Sequence, residues 1–160
     1  MRAGSTAPAG NTRICDAPCA RFHSAVALAP EPSLRYLDGL AARLREAGLS
    51  VEVSVEGEPI ELLPGVDLSA YRIVQEALTN VLKHGANATA RVVVRYLPSD
   101  LELEVADNGP NSGRIDTDGY GLVGMRERVA VYGGSIATEP RAGGGFVVRA
   151  HLPLDEGPAT

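Results

Sequence analysis

The first sustained pattern in the chain begins at Ser33. Leu34, Leu37, Leu40, Ala41 and Leu44 recur at helical spacing, Ser33 is a good cap, and Gly48 stands where such a helix would stop. Val51, Val53 and Val55 then alternate with Glu52, Ser54 and Glu56, which predicts a half-buried strand ending at Gly57. A short further strand is expected next, then a second helix capped by Asp67 and running to His84, with Gly85 as its stop. Ala90 to Leu97 and Leu101 to Ala106 read as two strands, with Pro98, Ser99 and Asp100 as the turn of a hairpin. From Asp107 to Gly119 the sequence is polar and broken by Gly109, Pro110 and Gly113, so a long mobile loop is expected. A third helix spans Gly121 to Tyr132, ended by Gly133 and Gly134. Strands at Ser135 to Glu139 and Phe146 to Leu152 complete the pattern.

This order holds too few β-α-β units for a doubly wound parallel sheet. It predicts an α+β fold, a two-layer sandwich in which a mixed, mainly antiparallel sheet is covered on one face by three helices, with the other face left to solvent. Residues 1–31, rich in Ala, Pro, Gly and Ser without an apolar period, read as a flexible N-terminal segment. Residues 32–154 form the expected domain, and 155–160 a disordered tail.

Composition narrows the class. With 160 residues, 44% hydrophobic and 22% charged, the chain has the make-up of one globular domain, and it contains neither a long apolar run nor the h-region of a signal peptide. The expected compartment is the cytoplasm, with no membrane segment. A net charge of -5 lacks the basic face that nucleic acid requires. Cys15 and Cys19 form a C-x₃-C pair that no second pair completes into a zinc site, so two idle thiols are expected.

Three features carry candidate chemistry. On the second helix Glu76, Asn80 and Lys83, the only lysine of the chain, stand at i, i+4 and i+7 in a narrow stripe flanked by His84. The opposite side carries Ile73, Ala77, Leu78, Val81 and Leu82, so the helix can pack on the sheet while presenting a carboxylate, an amide and a cation to a cleft. A solvated outer face is the plain alternative. Asp107-Asn108-Gly109 follows a strand end, where a carboxylate can accept a hydrogen bond from an exocyclic amine such as that of adenine; an Asx turn is the plain alternative there. Gly119, Gly121 and Gly124 spell G-x-G-x-x-G at the mouth of the third helix, where backbone N–H groups and the positive helix end can meet phosphate. A Rossmann site needs a strand directly before the first glycine, and a polar loop intervenes here. No P-loop pattern occurs.

Taken in order, these features and Gly143-Gly144-Gly145 resemble the nucleotide boxes of the histidine-kinase, gyrase, Hsp90 and MutL ATPase superfamily. Ala70 to Gly85 (AYRIVQEALTNVLKHG), Gly119 to Gly134 (GYGLVGMRERVAVYGG) and Gly143 to Pro153 (GGGFVVRAHLP) look like the catalytic domain of two-component sensor histidine kinases of the nitrate-sensor and desaturase-sensor type. The resemblance implies a Bergerat-type ATPase fold over about residues 30–154, with ATP and Mg²⁺ as cofactors. It implies Asn80 as the protein ligand of Mg²⁺, Glu76 as the residue that orients or polarises the attacking group or a metal-bound water, and Lys83 and His84 near the phosphates. Asp107 would read the adenine amine and Gly109 would let the base approach. Gly119, Tyr120, Gly121, Leu122, Gly124 and Met125 would line the lid, and Gly144 and Gly145 the base end. Gly145 falls where many relatives have a threonine that helps hold an adenine-bound water, and Pro110 and Asn111 stand where a second glycine is usual. No phosphoacceptor histidine is expected in this chain, since His23 lies in no long helical pattern. The implied partners are a histidine-bearing dimerisation domain and a response regulator, with this chain a monomer. An anti-sigma-factor-type serine kinase and a non-catalytic nucleotide-binding regulatory module are the alternatives that the same motifs allow.

Overall fold

A computed structural model describes residues 32–85, 87–110 and 120–154, with only the backbone of Tyr120. The expected segments at 1–31 and 155–160 and most of the loop before the third helix lie outside the described residues.

Ser33 caps the first turn as anticipated: its Oγ accepts the Arg35 N–H at 3.2 Å and starts a single 3₁₀ turn, Leu34–Tyr36, that leads into α1, Leu37–Glu46. Gly48, at φ +100, ends it. Strand β1 covers Ser50–Glu56, and no strand forms between Gly57 and Leu63, where Pro59 lacks the N–H that a ladder needs. Helix α2 spans Pro64–His84. Its start corrects the expected cap: Pro64, with φ already fixed for a helix, occupies the first turn, and Asp67 lies inside it. Asp67 Oδ1 instead accepts the Leu34 N–H at 2.8 Å, tying the helix to the chain entering α1. Strands β2, Thr89–Tyr96, and β3, Asp100–Asp107, form the hairpin; α3, Tyr120–Ala130, is followed by β4, Ser135–Pro140, and β5, Phe146–Pro153. The third helix stops two residues earlier than its pattern, because residues 131–133 turn to the left-handed Gly133.

The sheet order is β1-β2-β3-β5-β4, parallel only between β1 and β2. All three helices lie on one face. Alternation along the strands sends Val51 and Val53, Ala90, Val92 and Val94, Leu101, Leu103 and Val105, and Ala150 and Leu152 to that side. There they meet Leu37 and Leu40 of α1, Ile73, Val74, Ala77 and Leu78 of α2, and Met125 and Val129 of α3. Each large aliphatic side chain buried here contributes about 1.5–3 kcal/mol relative to exposure. Tyr96 sits at this core's edge, and burial, with the charge of Asp67 adding to it, raises its hydroxyl above the ordinary 10.0.

The opposite face carries a ladder of ion pairs. Arg95 Nε donates to Glu56 at 2.7 Å, Arg149 donates to Glu104 at 3.0 Å and to Glu139 at 3.1 Å, and His151 stands 2.9 Å from Asp100. This face, left free of helices as expected, is not uniformly polar. Val93, Ala106 and Val147 alternate with those charges and are buried, flanked by side chains with long apolar stems.

Candidate functional site

Alternation along β3 explains the central residue. Leu101, Leu103, Val105 and Asp107 share the helix-covered face, so a run that supplies the core ends in a buried carboxylate. A buried carboxylate needs partners. Asp107 Oδ1 accepts the Gly109 N–H at 2.9 Å, and Oδ2 accepts the Phe146 N–H at 3.2 Å. The first contact is the Asx turn weighed above, and the second comes from the neighbouring strand. Two carboxylate oxygens carry about four acceptor positions, so both retain capacity for a further donor.

The residues beyond Asp107 are held as firmly. Asn108 Oδ1 accepts the Thr89 N–H at 2.7 Å and its own N–H donates to the Thr89 carbonyl, clamping the end of β3 to the start of β2. Arg141, in the β4–β5 turn, donates from Nη1 to the Asp107 carbonyl at 2.9 Å. Gly145 stands against Asp107 with φ +86, and a Cβ there would come within 2.6 Å of the Asp107 carbonyl carbon. A threonine at position 145 is therefore incompatible with this backbone, and what reaches the Asp107 carboxylate from this turn is the Phe146 N–H.

Close approaches bring the other motifs to the same end of the sheet. A Cβ on Gly109 would lie 3.2 Å from the Gly85 Cα at the end of α2, and one on Gly144 would lie 3.1 Å from the Gly109 carbonyl oxygen. At α3, a Cβ on Gly121 would run into the Glu76 carboxylate, standing 3.1 Å from its Cδ. Only a bare backbone lets the start of α3 lie on Glu76. Four segments far apart in sequence thus converge: the middle and end of α2, the end of β3, the start of α3, and the β4–β5 turn.

The remaining candidates are placed as follows. Glu76 and Asn80 are half-buried on α2, and Lys83 and His84 are exposed in its last turn. Gly124 lies beside Arg128, where a Cβ would be 3.2 Å from Nη1. Leu122 and Met125 point into the core, Met125 completely, so in this conformation they anchor α3 to the sheet. Gly119 and Asn111 lie outside the described residues, as do Cys15, Cys19 and His23. Among the described residues, no group of three or more His, Cys, Asp or Glu side chains gathers to hold a metal, and no helix is long and apolar enough to cross a membrane. Sequence reasoning missed Asn108 and Arg141. Their proximity to the Asp-x-Gly and triple-glycine motifs was the available signal, but neither contact has a periodicity to reveal it.

Fold and site together define a two-layer α+β domain with its candidate chemistry gathered at one end of a mixed sheet. The chain belongs to the family of histidine kinase-, DNA gyrase B- and HSP90-like ATPases, whose model matches residues 65–156. It is 36% identical over 123 residues to the sensor histidine kinase YxjM of Bacillus subtilis (strain 168), covering 76% of this chain and 30% of YxjM. To the sensor histidine kinase LnrJ of the same organism it is 32% identical over 110 residues, covering 69% of this chain and 27% of LnrJ. The chain thus spans less than a third of the length of these relatives. The fold matches the catalytic domain of histidine kinase ThkA with TM-score 0.60 at 16% identity, over 76% of this chain and 94% of that one. It matches the Erythrobacter litoralis EL346 blue-light activated histidine kinase with TM-score 0.63 at 23% identity, over 77% of this chain and 42% of that one.

Proposed function

We propose that this chain binds ATP with Mg²⁺ between α2 and the start of α3, and donates the γ-phosphoryl group to a histidine on a separate dimerisation domain. The observation that carries this is the convergence of Glu76, Gly85, Asp107, Gly109, Gly121 and Gly144 from four distant segments at one end of the sheet. Its chemistry runs from base to phosphate. The carboxylate of Asp107 accepts the exocyclic amine of adenine and repels the carbonyl that guanine presents at the same position. Asn80 offers an amide oxygen, a hard donor that suits Mg²⁺, an ion that commonly takes one or two protein ligands together with substrate phosphates and water. Mg²⁺ would supply charge neutralisation at the phosphates. Lys83 and His84, exposed at the same end of α2, face the phosphates with a cation and an imidazole, and Glu76 orients the accepting histidine side chain. Phosphoryl transfer of this kind depends on positioning and charge more than on covalent catalysis by the protein.

The acceptor histidine belongs to a dimerisation domain, and a response regulator takes the phosphoryl group onward; the named relatives are sensor histidine kinases. A direct test supplies the helical dimerisation segment of such a kinase in trans with γ-labelled ATP. Acid-labile, alkali-stable label on that segment, lost with Asn80→Ala, is expected. Binding of ATP without transfer to any competent acceptor would instead indicate a regulatory nucleotide-binding module.

A further inference from the structure

We propose that Arg141 is a positioning residue for base selection, acting through Asp107; this rests on the reading of Asp107 as the adenine contact. The residue makes three contacts that close on one another. Its backbone N–H donates to the Gly145 carbonyl at 2.8 Å, its own carbonyl accepts the Gly144 N–H at 3.2 Å, and its guanidinium crosses to the Asp107 carbonyl at 2.9 Å. The turn that Arg141 closes also delivers the Phe146 N–H to the Asp107 carboxylate. One side chain therefore ties the peptide of Asp107 to the turn that orients its carboxylate.

Where the guanidinium goes matters as much as that it binds. Among the described residues, no ion pair joins Arg141 to the Asp107 carboxylate; the donor goes to the backbone oxygen. The carboxylate is fixed in direction while its acceptor capacity stays available to a ligand. Lysine could reach the same carbonyl with one donor but lacks the planar fork that restricts the geometry. An uncharged side chain of similar length would remove one of the tethers on the Asp107 peptide, leaving those through Asn108 and β2, and would widen the range over which it tilts; hydrogen bonds weaken steeply with angle. An adenine amine would lose more from such a tilt than a guanine, which makes no bond to the carboxylate.

The test is calorimetric titration of ATP and GTP into the parent chain, Arg141→Met, Arg141→Lys, Asp107→Asn and the Asp107→Asn/Arg141→Met double variant. Arg149→Met, which removes an arginine from the far face of the sheet, serves as the control. Arg141→Met is expected to weaken ATP about tenfold while GTP changes less than about twofold, the loss of one well-placed charged hydrogen bond's worth of orientation. Arg141→Lys should recover part of the preference, and Arg149→Met should leave it intact. In the Asp107→Asn background, Arg141→Met should not alter the ATP-to-GTP ratio further. A parental ratio in Arg141→Met, an equal fall for both nucleotides, or a further change in the double variant would overturn the proposal while the Asp107 reading stands. A parent without preference for ATP would remove that reading and this proposal together.

Discussion

The two ends of the candidate site are built differently. At the base end, Asp107 is buried and its carboxylate and carbonyl accept three hydrogen bonds, from Gly109, Phe146 and Arg141, before any ligand arrives. At the phosphate end, Glu76 and Asn80 are half-buried, Lys83 and His84 are exposed, and the glycine-bearing start of α3 rests on Glu76. The first end is preorganised, so base recognition requires little ordering when the ligand binds; the second leaves long polar side chains to be ordered by the ligand and its metal. Selectivity should therefore reside in the carboxylate held at the strand end, and metal dependence in the face of one helix.

Substitutions at the base end should have the largest effects, because they disturb strand ends as well as the ligand. Gly145→Ala places a Cβ against the Asp107 carbonyl at a left-handed φ, and should destabilise the chain by about 3 kcal/mol and abolish ATP binding. Chemical unfolding and calorimetry read both effects, and a stable variant that still binds would show that the turn yields freely. Asp107→Asn keeps the shape but exchanges an acceptor for an amide donor facing the base; ATP affinity should fall by about 30-fold or more, with a loss of stability near 1–2 kcal/mol. Asn80→Ala should cost about tenfold in ATP affinity when Mg²⁺ is present and little without it, since the amide acts on the ligand through the ion. An equal loss in EDTA would place Asn80 outside the metal's reach. The smallest effect lies away from both ends. Because burial raises the Tyr96 hydroxyl in the folded chain, the stability associated with its neutral form is complete below the ordinary value of 10.0 and is lost as pH rises beyond it. Tyr96→Phe should flatten that alkaline decline in urea midpoints, and an unchanged slope would remove Tyr96 as its cause.

Periodicity made most of the fold legible. The leucines of α1, the valines of β1 and the apolar side of α2 each repeat at the spacing of the element they form, and most of them reach the core, while Val55 and Leu82, at the ends of their patterns, stay exposed. Where the reading failed, a local signal met a stronger one. Asp67 looked like a cap, but Pro64 three residues earlier starts the helix, and Asp67 serves the chain entering α1 instead. At Asp107 the Asx turn forms, and it leaves lone pairs of the same carboxylate open, so it does not exclude the proposed contact with a ligand. Gly145 is a requirement of the Asp107 contact, a relation set by two strand ends meeting and therefore invisible along the chain. The same holds for Arg141, whose partner lies 34 residues away with no repeat to mark it.

The most direct test of the difference between the two ends is titration of ATP and GTP into the parent and Asp107→Asn, each with and without Mg²⁺. The account predicts that preference for ATP persists without the ion and disappears in Asp107→Asn, while Mg²⁺ strengthens ATP binding in both proteins. A preference that appears only with Mg²⁺, or that survives Asp107→Asn, would contradict it, because base selection would then depend on the helix and its metal and not on the strand end.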